Sequence, residues 1–318
     1  MKNRIFIIGL FSFLFITIAN GQIVNESHVL SSGGEWSSEG TSGHFGVLGE
    51  AFVSSSLTEG TTSGTAGFLS RCFVLQLTGI NLALFLEGPY QTGGTMLTGL
   101  ADAALLPNNQ PFNTAPWNYA GSETAGTLPA GAVDWILVEL RDAPTAETAY
   151  PATIVDGWPK AMFLKSDGSV IDSTGSQPSF VLPQINDSLF VVIRHRNHLA
   201  VMSSHGMTPG ADTYTYDFTD ALAKAFGNGA GYKELEAGVF GLVAGDADAD
   251  GSVFMSDRAL WRSNLGLTLT YLSTDFDMDA STFMSDRALW RANIGTANPI
   301  SGMFVSPFFV SQVPPEKK

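Results

Sequence analysis

Two thirteen-residue strings constrain this chain more than anything else in it: FMSDRALWRSNLG, from Phe254 to Gly266, and FMSDRALWRANIG, from Phe283 to Gly295. Eleven of the thirteen positions are identical, at an offset of 29 residues. Each copy follows a stretch with aspartate at every second position, GDADADGSV before the first and TDFDMDAST before the second. A chain that curls round a point presents alternate side chains to that point, so this spacing gathers three carboxylates. Gathered carboxylates repel one another, so such a loop closes well only around a cation.

Numbered from Asp246 as position 1, the first loop has carboxylates at positions 1, 3 and 5 (Asp246, Asp248, Asp250), Gly251 at 6, Ser252 at 7 and Asp257 at 12. The second has Asp275, Asp277 and Asp279, then Ala280 at 6, Ser281 at 7 and Asp286 at 12. This is the spacing of a twelve-residue calcium loop, in which position 7 gives a backbone carbonyl and position 12 closes the shell from the following helix. Two Ca²⁺ sites are expected. The second is expected to be weaker, because Ala280 stands where glycine would take a left-handed bend at no cost, a difference of about 1 kcal/mol. Phe254 and Phe283 occupy position 9 and cannot ligate, and position 12 is Asp rather than Glu. Both features point to affinities of about 10⁻⁴ to 10⁻³ M, the extracellular range.

The N-terminal residues agree with that setting. Lys2 and Arg4 precede an apolar run from Ile5 to Ile18, and Ala19-Asn20-Gly21 offers small residues for cleavage. Residues 1–21 therefore read as a secretory signal, and the protein is expected to be secreted or held at the cell surface. No other stretch is apolar enough for a transmembrane segment. A formal charge of −14 argues against nucleic acid and anionic membrane as partners. Cys72 is the single cysteine, so no disulfide can form within the chain. Core packing and metal must supply the stability.

Between these ends the sequence reads as strand after strand. Residues 22–78 are rich in Gly, Ser and Thr, with short apolar segments that suggest strands and tight turns. Residues 79–241 carry stronger signals: INLALFLEG, AVDWILVELRDA, KAMFLKSDGSVIDS with a turn at Asp167-Gly168, DSLFVVIRHRNHLAVMSS and DTYTYDFTD. Only DALAKAF suggests a helix. The expected architecture is mainly β, an antiparallel β-sandwich over 79–241. A small two-loop helical calcium module follows over 242–298, then an exposed tail over 299–318.

The paired loops, each with a helix after it and none before it, resemble the type I dockerin repeat over roughly Val243 to Asn298. The resemblance implies a docking role, with cohesin modules of other proteins gripped by the duplicated helix surfaces. By position that face comprises Met255, Ser256, Arg258 and Arg262, repeated as Met284, Ser285, Arg287 and Arg291. Met in place of a small polar residue before Ser, and Phe at position 9, depart from the family pattern. FLEGPY, QPFNTAPWNYAGSE, VDWILVELRDA and RHRNHLAVMS are similar to stretches of large uncharacterised secreted bacterial proteins, many with dockerin-like ends.

Catalytic constellations are wanting. No nucleophile elbow, phosphate loop or His-Glu-x-x-His string is present. In a continuous strand His195 and His198 would face opposite ways, so a hydrogen-bonding strand end is the simpler reading than a zinc site. Asp134 and Glu139, at odd separation, make a poor hydrolase pair, while Glu139 and Arg141 share a face and should pair. Trp117, Tyr119, Trp135 and Trp158 could form a glycan platform, although core packing is the simpler role for each. Two functions stay open. One is a secreted, non-enzymatic calcium protein acting in surface assembly or adhesion. The other is a polysaccharide-active component, either a carbohydrate-binding module or a hydrolase, recruited through the dockerin-like end.

Overall fold

In the computed structural model, residues 77–298 are described, together with the backbone of six strands before them. The chain divides into two units, residues 1–74 and 75–318. In the first, three antiparallel pairs follow in order: β1 (Phe13–Ala19) with β2 (Gln22–His28), β3 (Gly34–Glu39) with β4 (Ser42–Val47), and β5 (Ser55–Glu59) with β6 (Thr62–Ala66). The rest of the expected signal segment and the whole tail after Asn298 lie outside the described residues.

The second unit opens with β7 (Leu77–Ala83), a hairpin of β8 (Tyr90–Gln91) and β9 (Thr95–Met96), and the one-turn helix α1 (Gly99–Asp102). There follow β10 (Ala132–Ala143), β11 (Lys160–Lys165), β12 (Val170–Ile171), β13 (Ser179–Val181), β14 (Ser188–Arg194) and β15 (Val201–Met202). Then come β16 (Thr208–Pro209), β17 (Thr213–Asp217), β18 (Tyr232–Glu236), β19 (Val239–Leu242) and the helices α2 (Met255–Asn264) and α3 (Met284–Asn293). One sheet runs β12-β11-β10-β14-β15 and another β13-β7-β17-β16. The molecule is thus mainly β, with several sheets and few helices.

Strand β10 is the spine. It pairs with β11 on one side and β14 on the other, and both its faces are covered. That double cover is why AVDWILVEL reads as a mostly apolar run, broken only by Asp134 and Glu139, rather than an alternating one. Its Trp135 and Leu137 share one apolar cluster with Ile80 and Leu82 of β7 and Val191 and Ile193 of β14, so the two sheets close on a common core. Buried apolar surface at about 25 cal/mol per Å² makes that core the main stabilising element.

Two expectations are corrected. The strands are not all antiparallel: β7 and β17 pair in parallel, with Ile80 opposite Tyr214. DALAKAF forms only a 3₁₀ turn, Leu222–Lys224. Its backbone is claimed from outside, since Phe226 N–H donates to the Met202 carbonyl at 2.8 Å and Ala225 bridges Ser203. One turn of helix has too little cooperativity to resist that. β14 stops at Arg194, so His195 to His198 lie at a strand end, as the sequence suggests.

Candidate calcium centre and its seat on the sheets

Both helices begin where the repeats place them, one residue after Phe254 and Phe283. The position-12 aspartate is the third residue of each helix and folds back on the loop that leads in. Asp257 accepts from Ala247 N–H (2.7 Å), Asp248 N–H (3.4 Å) and Phe254 N–H (2.8 Å). Asp286 accepts from Phe276 N–H (2.5 Å), Asp277 N–H (3.3 Å) and Phe283 N–H (2.7 Å). Position 1 does the same across the bend. Asp246 accepts from Asp250 N–H and Gly251 N–H, both at 3.1 Å, and Asp275 from Asp279 N–H (3.1 Å) and Ala280 N–H (3.0 Å).

Backbone signs repeat as well. Position 4 is left-handed in both loops, at Ala249 (φ 56°) and Met278 (φ 59°), and so is position 6, at Gly251 (φ 88°) and Ala280 (φ 74°). Ala280 therefore adopts the conformation that glycine takes freely, with the strain the sequence implies.

Carboxylate oxygens of Asp246, Asp248 and Asp250 lie within 4.8 Å of one another, as do those of Asp275, Asp277 and Asp286. Asp279 and Ser281 stand at the rim, where Ser281 Oγ donates to Asp279 at 2.5 Å; Ser252 Oγ does the same to Asp250. Burial and mutual repulsion raise the carboxyl groups. Asp246 is held well above the usual range, Asp257 is pushed up to about 6, and Asp275, Asp277 and Asp286 are all raised. Asp277 Oδ1 is buried and has no hydrogen-bond partner. An orphaned anionic oxygen amid crowded carboxylates suits a hard divalent cation, and an all-oxygen donor set suits Ca²⁺ above the softer metals.

The helices cross-brace the loops. Trp261 Nε1 donates to the Phe283 carbonyl at 2.8 Å, and Trp290 Nε1 to the Phe254 carbonyl at 2.7 Å. Arg258 lies over the Trp290 ring (5.7 Å) and Arg287 over the Trp261 ring (5.9 Å). Of the expected partner face, Met255, Ser256, Arg262, Met284, Ser285 and Arg291 are exposed, while Arg258 and Arg287 are half-buried in these stacks. Leu260 is exposed, whereas its counterpart Leu289 packs against the small core of Trp261 and Trp290.

What the sequence did not disclose is the seat. RHRNH leaves β14 as a buried knot under the second loop. Asp134 Oδ2 accepts from Arg196 Nε (2.7 Å) and lies 3.2 Å from His195 Nε2, and Tyr271 Oη donates to its Oδ1 at 2.6 Å. Burial pushes Asp134 up, but Arg196 and His195 outweigh it and hold the carboxyl down at about 2. Arg196 also donates to the Leu272 carbonyl, and Asn197 Nδ2 donates to the carbonyl of Asp275 itself at 2.6 Å.

With the strand ended, the two histidines meet with Nδ1 atoms 3.1 Å apart, in keeping with a hydrogen-bonding strand end. Gly88 N–H donates to His198 Nε2 at 3.2 Å, which leaves the His198 proton on Nδ1. Burial lowers both imidazoles, so both are neutral, and His195 serves Asp134 as a donor from Nε2.

Glu87 makes a second anchor. It takes Lys233 Nζ at 2.6 Å, Asn293 Nδ2 at 2.6 Å and Ala244 N–H at 3.0 Å, tying α3 and the lead-in of the first loop to the sheet end. The signal for it was only the string FLEGPY, whose glutamate carries no mark of its role.

Glu139 and Arg141 pair as expected, at 2.7 Å and fully buried. Trp135, Tyr119 and Trp158 are core residues. Trp117 differs: half-buried against Phe112, it lines a cleft of about 500 Å³ with Arg196, Tyr271, Ala247 and Asp248.

No protein-family model and no curated protein matches the chain. Among solved structures, it is similar to a C-terminal interface mutant of a type II cohesin–X–dockerin complex from Acetivibrio cellulolyticus. That match has 11% identity over 69% of this chain and 97% of that chain, with a TM-score of 0.35. An N-terminal interface mutant of the same kind of complex matches at 12% identity, 70% and 95% coverage and a TM-score of 0.31. At these scores the likeness assigns neither fold nor partner. No helix among the described residues is long and apolar enough to cross a membrane.

Proposed function

We propose that residues 242–298 form a two-site calcium module of the dockerin kind, carried by a secreted β-protein and used to dock it to a cohesin-like partner. Asp246, Asp248, Asp250 and Asp257 would hold one ion with the Ser252 carbonyl. Asp275, Asp277, Asp279 and Asp286 would hold the other with the Ser281 carbonyl, more weakly because of Ala280. Calcium supplies the positive charge that lets each loop close. The chain's own residues orient the carboxylates through the position-12 hydrogen bonds and brace the helices through Trp261 and Trp290. One observation carries this reading. Two loops 29 residues apart repeat the hydrogen bonds of positions 1 and 12 and the same left-handed positions, and each gathers three carboxylates, Asp246, Asp248 and Asp250 in one and Asp275, Asp277 and Asp286 in the other.

The docking half is tested with immobilised cohesin modules of both types, with the full chain passed over them in calcium and in chelator. Binding in calcium that is lost in chelator and in a Met255→Asp/Met284→Asp variant is expected. Absence of binding to every module would leave a calcium protein without this partner. The cleft beside Trp117 favours a second reading, a glycan site. Quenching of tryptophan fluorescence by soluble polysaccharide, absent in Trp117→Ala, would support that reading over docking alone.

A further inference from the structure

Asn264 and Asn293 hold the same place in the two repeats, the last residue of α2 and of α3, yet they meet different partners. Asn264 Nδ2 donates to Thr274 Oγ1 at 3.1 Å, an ordinary loop contact. Asn293 is only 4% exposed, and its side chain meets a lysine and a carboxylate together. Its Nδ2 donates to Glu87 Oε2 at 2.6 Å and to the Ala244 carbonyl at 2.9 Å, and two acceptors on one atom mark it as the nitrogen. Oδ1 therefore faces Lys233, whose Nζ stands 3.0 Å away. The other oxygen of the same carboxylate, Glu87 Oε1, accepts from Lys233 Nζ at 2.6 Å.

An amine, a buried carboxamide and one carboxylate touching both are the three groups that transamidation needs. The amine is the nucleophile and the amide carbon the electrophile. The carboxylate is a base within reach of the proton it removes and an acid within reach of the group that leaves. Cγ is bonded to Oδ1 at about 1.2 Å, so it lies within about 4.2 Å of Nζ. The Lys233 side chain keeps 34% of its surface open, which leaves its stem room to close to a reactive contact of about 3–3.5 Å.

We propose that Lys233 and Asn293 join in an isopeptide bond, with Glu87 as the catalytic residue. Glu87 Oε1 takes a proton from the Lys233 ammonium, and the freed Nζ lone pair attacks Cγ of Asn293. Nζ gives up a second proton, Nδ2 receives one through Glu87 Oε2, and the Cγ–Nδ2 bond breaks. Ammonia leaves and carries the other proton into water as ammonium, so Glu87 ends as the carboxylate it began. No oxidant takes part. The new bond ties the end of α3 to β18 and closes a span of 60 residues that contains both aspartate loops. A chain with one cysteine has no internal disulfide for that purpose, and a cross-link there restricts the unfolded chain in the same way. Neither the docking reading nor the glycan reading is needed for it.

Mass spectrometry supplies the test. The full chain, purified and kept in calcium at neutral pH, is weighed intact and then digested with trypsin. Expected is a loss of about 17 Da, the mass of ammonia, and a branched peptide joining the segment that carries Lys233 to the one that carries Asn293. Lys233→Arg and Glu87→Gln, each checked for a cooperative melt, should keep the full mass and release the two segments unlinked. The parent chain decides the bond even where a variant fails to fold. Free Lys233 beside intact Asn293 in the parent overturns the proposal. So does a loss of the same size at an asparagine with Lys233 free, which marks a succinimide instead. A Glu87→Gln variant that cross-links as fast as the parent overturns the role given to Glu87.

Discussion

The two aspartate loops share a backbone yet differ in what lies beneath them. Positions 2 and 4 are Ala247 and Ala249 in the first loop and Phe276 and Met278 in the second. Phe276 and Met278 are fully buried, and Met278 and Ala280 belong to the main core between the sheets. Two glycines make room for this loop: a Cβ on Gly88 would collide with the Phe276 carbonyl, and one on Gly99 would press on the Met278 carbonyl. Asn197 holds the carbonyl of Asp275, whereas the first loop has no such post under Asp246 among the described hydrogen bonds. One repeat is thus built into the β-unit and the other is carried on it. Duplication preserved the frame of alternating aspartates, and the side chains between them decide which copy is anchored.

The largest effect should come from removing the charge under the anchored loop. Asp134→Ala leaves Arg196, His195 and Tyr271 buried without their acceptor, which costs about 3–5 kcal/mol; thermal melts in saturating calcium should show the whole β-unit lose stability. Phe276→Ala should cost about 3–4 kcal/mol through the cavity it leaves. Its mirror at the open loop, Ala247→Gly, should cost about 1 kcal/mol or less. Equal losses at the two sites would break the comparison.

Acidity sharpens it next. In chelator the raised carboxyls of both loops bind more protons folded than unfolded. Their contribution is therefore fully present below the unfolded value of about 4, and it is lost as pH rises through about 6 at Asp257 and about 8 at Asp275. Buried, neutral His195 and His198 act the other way below about 6.5, so the carboxyl effect is read between pH 8 and pH 7, where the calcium-free melting temperature should rise as pH falls. In calcium the trend should reverse, because protons displace the ion.

Smallest is Ala280→Gly. Relief of left-handed strain gives back about 1 kcal/mol, but the buried methyl contributes about 0.8 kcal/mol. Fold stability should hardly move while calcium binding at the second loop tightens, as calorimetry can read.

How much of this the sequence disclosed follows from where each signal sits. Both loops, both helices and the position-12 aspartates that fold back on the loops were legible because the same residue types recur at the same spacing 29 residues apart. The central strand was legible because burial on both faces leaves AVDWILVEL almost without polar breaks. The seat was not. Asp134 and Arg196 are 62 residues apart, and Glu87 and Asn293 are 206 apart; periodicity says nothing at that range. The strand end at His195–His198 was legible from its basic, amide-rich string, but its partners Asp134 and the Asp275 carbonyl were not. The parallel pairing of β7 with β17 is likewise a matter of topology, which local pattern does not carry.

The central claim is that each aspartate loop holds one calcium ion, and counting ions tests it most directly. The full chain, equilibrated with calcium at about 1 mM, is analysed for bound metal by equilibrium dialysis and elemental mass spectrometry. The account predicts two ions per chain, and one each in Asp257→Ala and Asp286→Ala. A chain that binds none, or variants that bind as many ions as the parent, would contradict it.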